Sequence, residues 1–261
     1  MTDTAVSPAL TPQQLAAYHE QGFLLLREFF PRALLAEAAE EAEALGARRD
    51  LIDVQNLRCR FMPNVQTGAC EFECFDPVVD IGPVCRRITY DANLLVALGE
   101  LYGEEACLFK DKLIFKPPGV RGYGLHQDYI GWPSFPRSFL TVLAPFDRAD
   151  ADNGCTEVFP GYHDNGSLTE EDGQYHELSL EVIDESRGVR LEMSPGDVAI
   201  FGGFTPHRSA PNRSDRWRRQ LYLSYNKLSD GGHQRARHYE EFHCWLRVKY
   251  AEHGKTDLYF R

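Results

Sequence analysis

The chain has 261 residues, of which 43% are hydrophobic and 26% are charged. These values are typical of a globular protein that is long enough to bury a hydrophobic core. The formal net charge of −11 argues against nucleic acid or an anionic membrane as the main partner, so an anionic ligand would need a local group of basic side chains. The longest apolar runs, such as residues 23–26, are too short to cross a bilayer.

Residues 1–14, MTDTAVSPALTPQQ, contain neither the basic nor the apolar region of a signal peptide. The seven cysteines are scattered without a C-x-x-C pair, which favours reduced, mostly buried thiols over disulfides or a zinc ribbon. We therefore expect a cytoplasmic protein that binds a small molecule. The sequence does not indicate an oligomeric state.

The first elements are predicted to be helical. Thr11 can cap a helix, Pro12 suits its first position and Gln14 can complete a capping box. After a break at Gly22, the run FLLL predicts a strand. Residues 31–45 are rich in Ala and Glu with apolar residues at helical spacing, and predict an amphipathic helix. A further helix is expected at residues 86–103.

From about residue 50 the pattern changes to short runs of β-branched, aromatic and alternating residues between Pro, Gly, Asn and Asp, which is typical of a sandwich or barrel. Strands are predicted in NLRCRF, CEFECF, CLFKDKLIFK, SFLTVLAPF, GVRLEM, DVAIFGG and RQLYLSYN. Residues 163–188 predict an insertion or lid between strands. We expect one domain over residues 1–261, with a helical N-terminal region (about 11–103) packed on a β core (about 104–230).

The stretch GLHQDYIGW places His126 and Asp128 two positions apart. On a strand they would share one face and offer an imidazole and a carboxylate to a metal ion, although the pair alone is common by chance. His207, just past the predicted strand DVAIF, is the candidate third ligand; the alternative is a surface or core-edge histidine. Two histidines and one carboxylate form the facial triad of non-haem Fe(II) oxygenases, which leaves coordination positions open.

Two predicted strands carry a polar face. In RRQLYLSYN the residues that alternate from Arg218 are all polar, so they line either solvent or a wet cavity. An arginine there can bind a carboxylate through two hydrogen bonds. CLFKDKLIFK puts Lys110, Lys112 and Lys116 on one face, which fits a basic cavity wall or a solvated edge strand.

Taken together, these motifs resemble the phytanoyl-CoA dioxygenase-like (PhyH) family of Fe(II)/2-oxoglutarate-dependent oxygenases over nearly the whole chain. TPQQLAAYHEQGFLLLREFF is similar to the family's first helix and strand, and FKPPG with LHQD to its lead into the metal strand. DNGCTEVFPGYH and PGDVAIFGGFTPHRSAPNRSDRWRRQLYLSYN are similar to its later blocks. Arg218 follows His207 by 218 − 207 = 11 residues, the family's spacing.

The resemblance implies a double-stranded β-helix (jelly roll) of the cupin-like class, with Fe(II) bound by His126, Asp128 and His207. Arg218 would hold the far carboxylate of 2-oxoglutarate with help from Ser209, and Lys112 would contact co-substrate or substrate. The co-substrate and O₂ would be consumed, with release of succinate and CO₂, as a C–H bond is hydroxylated. Asp128 favours hydroxylation over halogenation, because related halogenases have Ala or Gly there; desaturation and ring chemistry stay open.

The substrate is less well defined. Basic residues suggest a small anionic metabolite, such as an amino acid, carboxylate or phosphonate; these residues are Arg58, Arg60, Lys110, Lys112 and Arg208. Aromatic residues would instead suit an apolar natural-product intermediate; these are Tyr123, Tyr129, Trp132 and Phe135. Arg208 is either a substrate contact or an outward charge, because the family has a small residue there. Arg219 is expected to face outward.

Two other functions remain alternatives: a non-catalytic jelly roll with a structural metal, which would favour four protein ligands, and a cupin-like metalloenzyme that does not use 2-oxoglutarate. Asn56, Arg58 and Arg60 also alternate with apolar residues and are interpreted mainly as a solvated face. No function is assigned to the other histidines, which are interpreted as loop or helix-surface residues (19, 163, 176, 233, 238, 243 and 253).

Overall fold

A computed structural model describes residues 9–261, so the first part of the stretch 1–14 lies outside the described residues. The helices are α1 (Pro12–Gln21), α2 (Arg32–Gly46), α3 (Pro83–Thr89), α4 (Ala92–Tyr102) and α5 (Arg235–Ala251). The strands are β1 (Phe23–Leu26), β2 (Cys59–Pro63), β3 (Cys70–Phe75), β4 (Ala106–Lys116), β5 (Leu140–Pro145), β6 (Thr156–Val158), β7 (Val189–Arg190), β8 (Val198–Gly202), β9 (His207–Ser209) and β10 (Arg218–Lys227).

The strands form two antiparallel sheets. The larger has the order β1-β8-β5-β10-β4-β3-β2 and the smaller β7-β6-β9. Helices α1 to α4 pack on one face of the larger sheet around a shared core that includes Leu35, Leu98 and Leu221. A second core, with Leu143 and Val158, lies between the sheets. The region before residue 104 thus contributes strands β1 to β3 to the main sheet as well as helices.

Local signals placed the first elements correctly. Helix α1 begins at Pro12 with a complete capping box between Thr11 and Gln14, and Gly22 ends it with a positive φ of 79°. Helix α2 starts one residue after the predicted boundary, and its buried residues follow the expected spacing. None of the helices in residues 9–261 is both long enough and apolar enough to span a membrane.

The single helix predicted at residues 86–103 is instead two helices. α3 ends at Thr89, whose hydroxyl donates to the Cys85 carbonyl. Asp91 then caps α4 by accepting hydrogen bonds from the backbone N–H groups of Asn93 and Leu94. A carboxylate in this position starts a new helix because it satisfies amides that otherwise lack partners.

Helix α5 was not predicted. Its His238 is only 5% exposed and its ring lies 4.2 Å from that of Phe109, so the interpretation of this histidine as a surface residue is wrong. Burial lowers the pKa of His238 to about 3, so it is a neutral core residue.

The predicted strands occur, most of them with shifted ends, and two short ones, β6 and β9, were missed. The polar face of β10 is buried: Arg218, Gln220 and Asn226 are at most 2% exposed, which favours the cavity over solvent. Strand β4 lies between β10 and β3, so its lysines do not protect a solvated edge.

The interpretation of Asn56, Arg58 and Arg60 as a solvated face is wrong. Asn56 and Arg58 are 1% and 4% exposed. Arg58 donates to the carbonyls of Arg261 and Pro77, 2.5 and 2.7 Å away, and Arg60 donates to the Leu57 and Cys59 carbonyls. These side chains therefore hold backbone segments together.

The core beneath β10 should dominate stability. Leu223 is fully buried on the helix-facing side of this strand, whereas Leu228, just beyond it, is 45% exposed. We expect Leu223→Ala to lower the free energy of unfolding by about 2–5 kcal/mol and Leu228→Ala by less than about 0.5 kcal/mol, measured by urea denaturation. Equal losses in the two variants would contradict this packing.

Candidate active site

Three side chains converge between the two sheets. Asp128 Oδ1 lies 3.9 Å from His126 Nε2 and 3.8 Å from His207 Nε2. All three ligand atoms lie within 4.8 Å of one another. The three residues predicted as metal ligands thus lie together in the structure, although His126 forms an isolated bridge with His207 rather than part of a longer strand.

The backbone positions the two imidazoles. His126 and His207 exchange N–H···O=C hydrogen bonds of 3.0 and 2.9 Å, which sets their rings 4.2 Å apart. Nδ1 of His126 lies 2.8 Å from the Gly124 carbonyl, and Nδ1 of His207 lies 3.0 Å from the Thr205 carbonyl. Only N–H can donate to a carbonyl, so Nδ1 carries the proton and Nε2 is left as a ligand atom.

Close backbone approach completes this corner of the site. A Cβ atom at Gly122 would overlap the carbonyl oxygen of Ser209. Two hydrogen bonds join the segments here. The Tyr123 amide donates to the Ser209 hydroxyl at 3.2 Å, and the Ser209 amide donates to the Tyr123 carbonyl at 3.0 Å. Gly122 thus allows the segment before His126 to lie against β9.

The electrostatics suit a divalent cation. Burial, followed by the neighbouring His207, lowers the pKa of His126 to about 3, so its imidazole is neutral. Burial opposes the charge of Asp128, but the two histidines, Lys112 and a hydrogen bond from Thr141 outweigh it and lower its pKa. The Thr141 hydroxyl donates to Asp128 Oδ2 at 2.8 Å, which leaves Oδ1 facing the histidines.

The donor set fits Fe(II). Two neutral imidazoles and one carboxylate are the ligands of a facial triad. Within residues 9–261 no fourth His, Cys, Asp or Glu joins this group, whereas a structural zinc site would be closed by four ligands. The free side of the three ligand atoms faces a cavity of about 200 Å³.

The cavity lies between the sheets and is walled by strands β4, β5, β8, β9 and β10. Its polar wall includes Lys110, Lys112 and Ser209, and its apolar wall includes Phe135 and Phe139. Tyr123, which also lines it, donates to Glu73 at 2.8 Å. A chamber with basic and aromatic walls is thus open to the three ligand atoms.

One end of this region holds two buried basic groups. Arg218 and Lys116 face each other across β10 and β4, and each is 2% exposed. Both donate to the Gly154 carbonyl, at 2.6 and 3.2 Å. Lys116 also donates to the Ala210 carbonyl and lies 3.3 Å from the Ser209 hydroxyl.

These basic groups are incompletely neutralised. Among residues 9–261, Nε of Arg218 finds no hydrogen-bond partner. Burial, together with the adjacent Arg218, lowers the pKa of Lys116 to about 6. Glu73 is the nearest opposing carboxyl, yet burial raises its pKa. The position of Lys116 beside Arg218 was not predicted, although its strand face was noted, because only the cross-strand register places it there.

The structure shows the partners of the Arg208 and Arg219 side chains. Arg208 lines the cavity and pairs with Glu157 at 2.6 Å and with Glu185 at 2.8 Å, so carboxylates of the chain already balance its charge. Arg219 faces outward, as predicted, and pairs with Asp147 at 2.8 Å. The register of β10 therefore directs Arg218 inward.

Residues 163–188 cover the site from one side, in keeping with the predicted lid. They connect β6 to β7 through three short 3₁₀ turns. The ring of Tyr175 lies 5.0 Å from that of His126. Gln127 holds the segment by donating to the Gly166 carbonyl at 2.9 Å and accepting from the Leu168 amide at 2.7 Å.

Comparison with known proteins places this site in a family. The model of the family described as "Phytanoyl-CoA dioxygenase (PhyH)" matches residues 18–220, including all three ligand residues and Arg218. The chain belongs to the phytanoyl-CoA dioxygenase family. The predicted jelly-roll fold and the predicted class of enzyme, an Fe(II)- and 2-oxoglutarate-dependent dioxygenase, are confirmed for this family member.

Two curated relatives cover most of this phytanoyl-CoA dioxygenase family member. The 2-aminoethylphosphonate dioxygenase of the uncultured bacterium HF130_AEPn_1 is 29% identical over 230 residues, 85% of this chain and 83% of that protein. The methylphosphonate hydroxylase of Gimesia maris is 28% identical over 253 residues, 96% of this chain and 92% of that protein. The crystal structure of EctD from S. alaskensis with 2-oxoglutarate and 5-hydroxyectoine matches with a TM-score of 0.71 at 22% identity, over 88% of this chain and 82% of that one.

The hydrogen bond from Thr141 should matter for metal affinity. We expect Thr141→Val to weaken Fe(II) binding about 10- to 100-fold, because partners that orient a ligating carboxylate have effects of this size. Anaerobic Fe(II) titration measures this. Thr256→Val, at an exposed position, is the control and should bind as the wild type does. Equal affinities in all three proteins would contradict the role of Thr141.

Lys116 should make stability depend on pH. Its pKa is about 6 in the folded chain against a usual 10.5, so between these values only the unfolded chain binds the proton. Unfolding free energy therefore rises with pH in this window, by up to about 1.4 kcal/mol per pH unit.

We expect the difference in unfolding free energy between the wild type and Lys116→Met to increase from pH 6.5 to pH 9, since this window lies between the two pKa values. Urea denaturation at each pH measures it, with exposed Lys255→Met as the control. A difference that stays constant over this range would be inconsistent with a depressed pKa.

Proposed function

We propose that this enzyme hydroxylates an unactivated C–H bond of a small anionic metabolite, and that His126, Asp128 and His207 hold its Fe(II). The observation that carries the metal assignment is the convergence of three ligand atoms within 4.8 Å, with both imidazoles fixed as Nε2 donors. Bound Fe(II) would supply the oxidation chemistry, in which 2-oxoglutarate and O₂ are converted to succinate and CO₂ as the substrate gains one oxygen.

The side chains around the metal position the co-substrate. Arg218 would bind the far carboxylate of 2-oxoglutarate through its guanidinium fork, and the Ser209 hydroxyl would donate to the same carboxylate. Lys112 lies between Asp128 and the ring of Tyr222, 5.3 Å from its centroid, and would bind the carboxylate nearer the metal. Lys116, whose pKa of about 6 leaves it largely neutral in the folded chain, would donate a further hydrogen bond beside Arg218.

An anionic substrate is supported by the charges of the cavity. The wall formed by β4 presents Lys110 and Lys112, and the two curated relatives described above are named for phosphonates. An apolar natural-product substrate is less well supported. Of the aromatic residues considered for it, Tyr123 and Phe135 line the cavity. Trp132 and Tyr129 do not, since they pack against Trp245 and Phe204.

The two alternatives fit the site less well. A structural metal would need a fourth ligand, which the described residues do not offer at this position. An enzyme of this fold that does not use 2-oxoglutarate would have no need for the basic pair Arg218 and Lys116. Their burial without a carboxylate partner for Arg218 Nε supports a diacid ligand.

We also infer a cytoplasmic location and a small-molecule partner rather than nucleic acid, from the net charge of −11 and from seven free cysteines, five of them buried. We propose that residues 1–261 act as one domain.

The adjacent arginines Arg218 and Arg219 provide a matched test of the co-substrate assignment. We expect Arg218→Ala to raise the KM for 2-oxoglutarate by at least about 30-fold, because the loss of a buried charged hydrogen-bond partner costs about 2–5 kcal/mol. Arg219→Ala, which breaks the pair with Asp147 and the hydrogen bond to the Ala39 carbonyl, should stay within about threefold of the wild type. Succinate formation measures both values. Equal effects of the two changes would show that Arg218 does not hold the co-substrate.

The metal assignment is tested by anaerobic titration of the protein with Fe(II) and then 2-oxoglutarate. The wild type should develop a weak visible charge-transfer band and should convert 2-oxoglutarate slowly in air. His126→Ala should do neither, whereas His253→Ala, at an exposed residue of the chain, should behave as the wild type. A band that persists in His126→Ala would refute the assignment.

A further inference from the structure

Lys110 lies at the end of the cavity opposite to Arg218. Strands β4 and β10 pair so that Lys116 faces Arg218, Lys112 faces Tyr222 and Lys110 faces Ser224. Six residues of strand separate Lys116 from Lys110, which corresponds to about 20 Å. A five-carbon diacid anchored at Arg218 is too short to reach Lys110. This lysine is therefore free to contact the substrate.

Contacts with Asp76 and Phe242 hold Lys110 in place. Its Nζ lies 3.2 Å from Asp76 Oδ2 and 4.4 Å from the ring centroid of Phe242 on α5. The other Asp76 oxygen accepts a hydrogen bond of 3.0 Å from the Tyr239 hydroxyl. Burial opposes the charge of Asp76, but Lys110, Arg60 and Lys112 outweigh it and hold its pKa at about 2. Asp76 is thus an ionised, fully engaged carboxylate.

The ion pair does not fully stabilise the lysine. Burial lowers the pKa of Lys110, and the neighbouring Lys112 and Arg60 lower it further, so that the attraction of Asp76 is outweighed. A second anion on the cavity side would stabilise the charged form. Lys110 lines the cavity together with Lys112 and Ser224, so such an anion can reach it.

A cationic group on the substrate would find no free carboxylate. Asp128 is the one carboxylate among the described residues that line the cavity, and it is directed at the two histidines and Thr141. Asp76 lies behind Lys110 and both of its oxygens are engaged. Hydroxyl groups also line the cavity, but a buried ammonium that has only neutral partners and faces Lys110 is disfavoured relative to an alkyl group.

The rest of this end of the cavity is apolar. Ile130, Phe135 and Phe139 line it, and the rings of Phe135 and Phe139 are 4.8 Å apart. Alkyl groups can pack against such a wall without depriving a polar group of its hydrogen-bond partner. The apolar side chains at this end are few, which suits a short alkyl group better than a long one.

We propose that Lys110, positioned by Asp76, binds the head group of the substrate, and that this substrate is a compact oxyanion on a short alkyl chain without an ammonium group. The inference rests on the proposed function and narrows it. The reaction is R–H + 2-oxoglutarate + O₂ → R–OH + succinate + CO₂, in which one oxygen atom enters the C–H bond and the other enters succinate.

Two isosteric pairs of substrates test the inference on the wild-type holoenzyme. Propylphosphonate and 2-aminoethylphosphonate differ by a methyl group in place of an ammonium, and so do butanoate and β-alanine. The readouts are succinate formation above the substrate-free rate and a product mass increase of one oxygen. In at least one pair we expect kcat/KM to be at least about tenfold higher for the alkyl compound, because its partner must bury an unpaired ammonium. The pair that responds identifies the head group as phosphonate or carboxylate.

A variant tests the residue. Lys110→Met keeps the length of the side chain and removes its charge, and should raise the KM for the preferred alkyl substrate at least about tenfold, in line with the loss of a charged hydrogen bond, while the KM for 2-oxoglutarate stays within about twofold. Lys227→Met, at the last residue of β10 and outside the lining of the cavity, is the control and should match the wild type. The wild-type substrate comparison does not depend on whether Lys110→Met folds.

The outcomes distinguish a failure of this inference from a failure of the proposed function. If ammonium compounds are used as well as or better than their alkyl isosteres, or if Lys110→Met leaves the substrate KM unchanged, the inference is overturned. It is also overturned if no member of either pair stimulates an enzyme that still converts 2-oxoglutarate. If no preparation consumes 2-oxoglutarate under any condition, the proposed function itself fails.

Discussion

The active site depends on a pair of reciprocal backbone hydrogen bonds between His126 and His207. These bonds join the loop before the lid to the short strand β9, and they fix the two imidazoles side by side at 4.2 Å. Each ring is then oriented by the carbonyl two residues before it in the chain, that of Gly124 or that of Thr205. Because the same local geometry occurs twice, both Nε2 atoms face the same point, and Asp128 needs only to follow His126 by two residues.

Elements that carry local sequence signals could be predicted, whereas elements that depend on pairing between distant segments could not. Helix α1 and its end at Gly22 carry local signals, a capping box and a glycine with positive φ, that depend on few distant contacts. Strands β6 and β9 have three residues each, and they are extended because they pair with each other. Their partners lie about 50 residues apart in the chain, so no local pattern reveals them. Asp91 is an intermediate case. Aspartate is a common N-cap residue, but the apolar residues around Asp91 favoured one continuous helix over residues 86–103.

The same limit applies to the charged residues. A polar face that lines a cavity has the same alternation as one that meets solvent, so the burial of Arg58 and of Arg218 could not be distinguished from sequence. The spacing between His207 and Arg218 resolved the second case through the family resemblance, and nothing comparable was available for Arg58. Its burial follows from contacts with the backbone of Arg261 and Pro77, which are far from it in the sequence. Lys116 acquires its importance only from the register that places it opposite Arg218.

The basic side chains at the two ends of the strand pair β4–β10 have different partners. At the Arg218 end, Arg218 and Lys116 both donate to a neutral carbonyl, that of Gly154. The pKa of Lys116 is about 6, so Arg218 is the charged group there, and it would gain the full attraction of a carboxylate. At the Lys110 end, the charge is already shared with Asp76, so an oxyanion would be attracted less strongly. Under the proposed function, a chain with a net charge of −11 would thus hold its co-substrate at an unpaired charge and its substrate at a paired one. The separation of Lys116 from Lys110 along the strand, about 20 Å, would prevent one small diacid from engaging both ends at once.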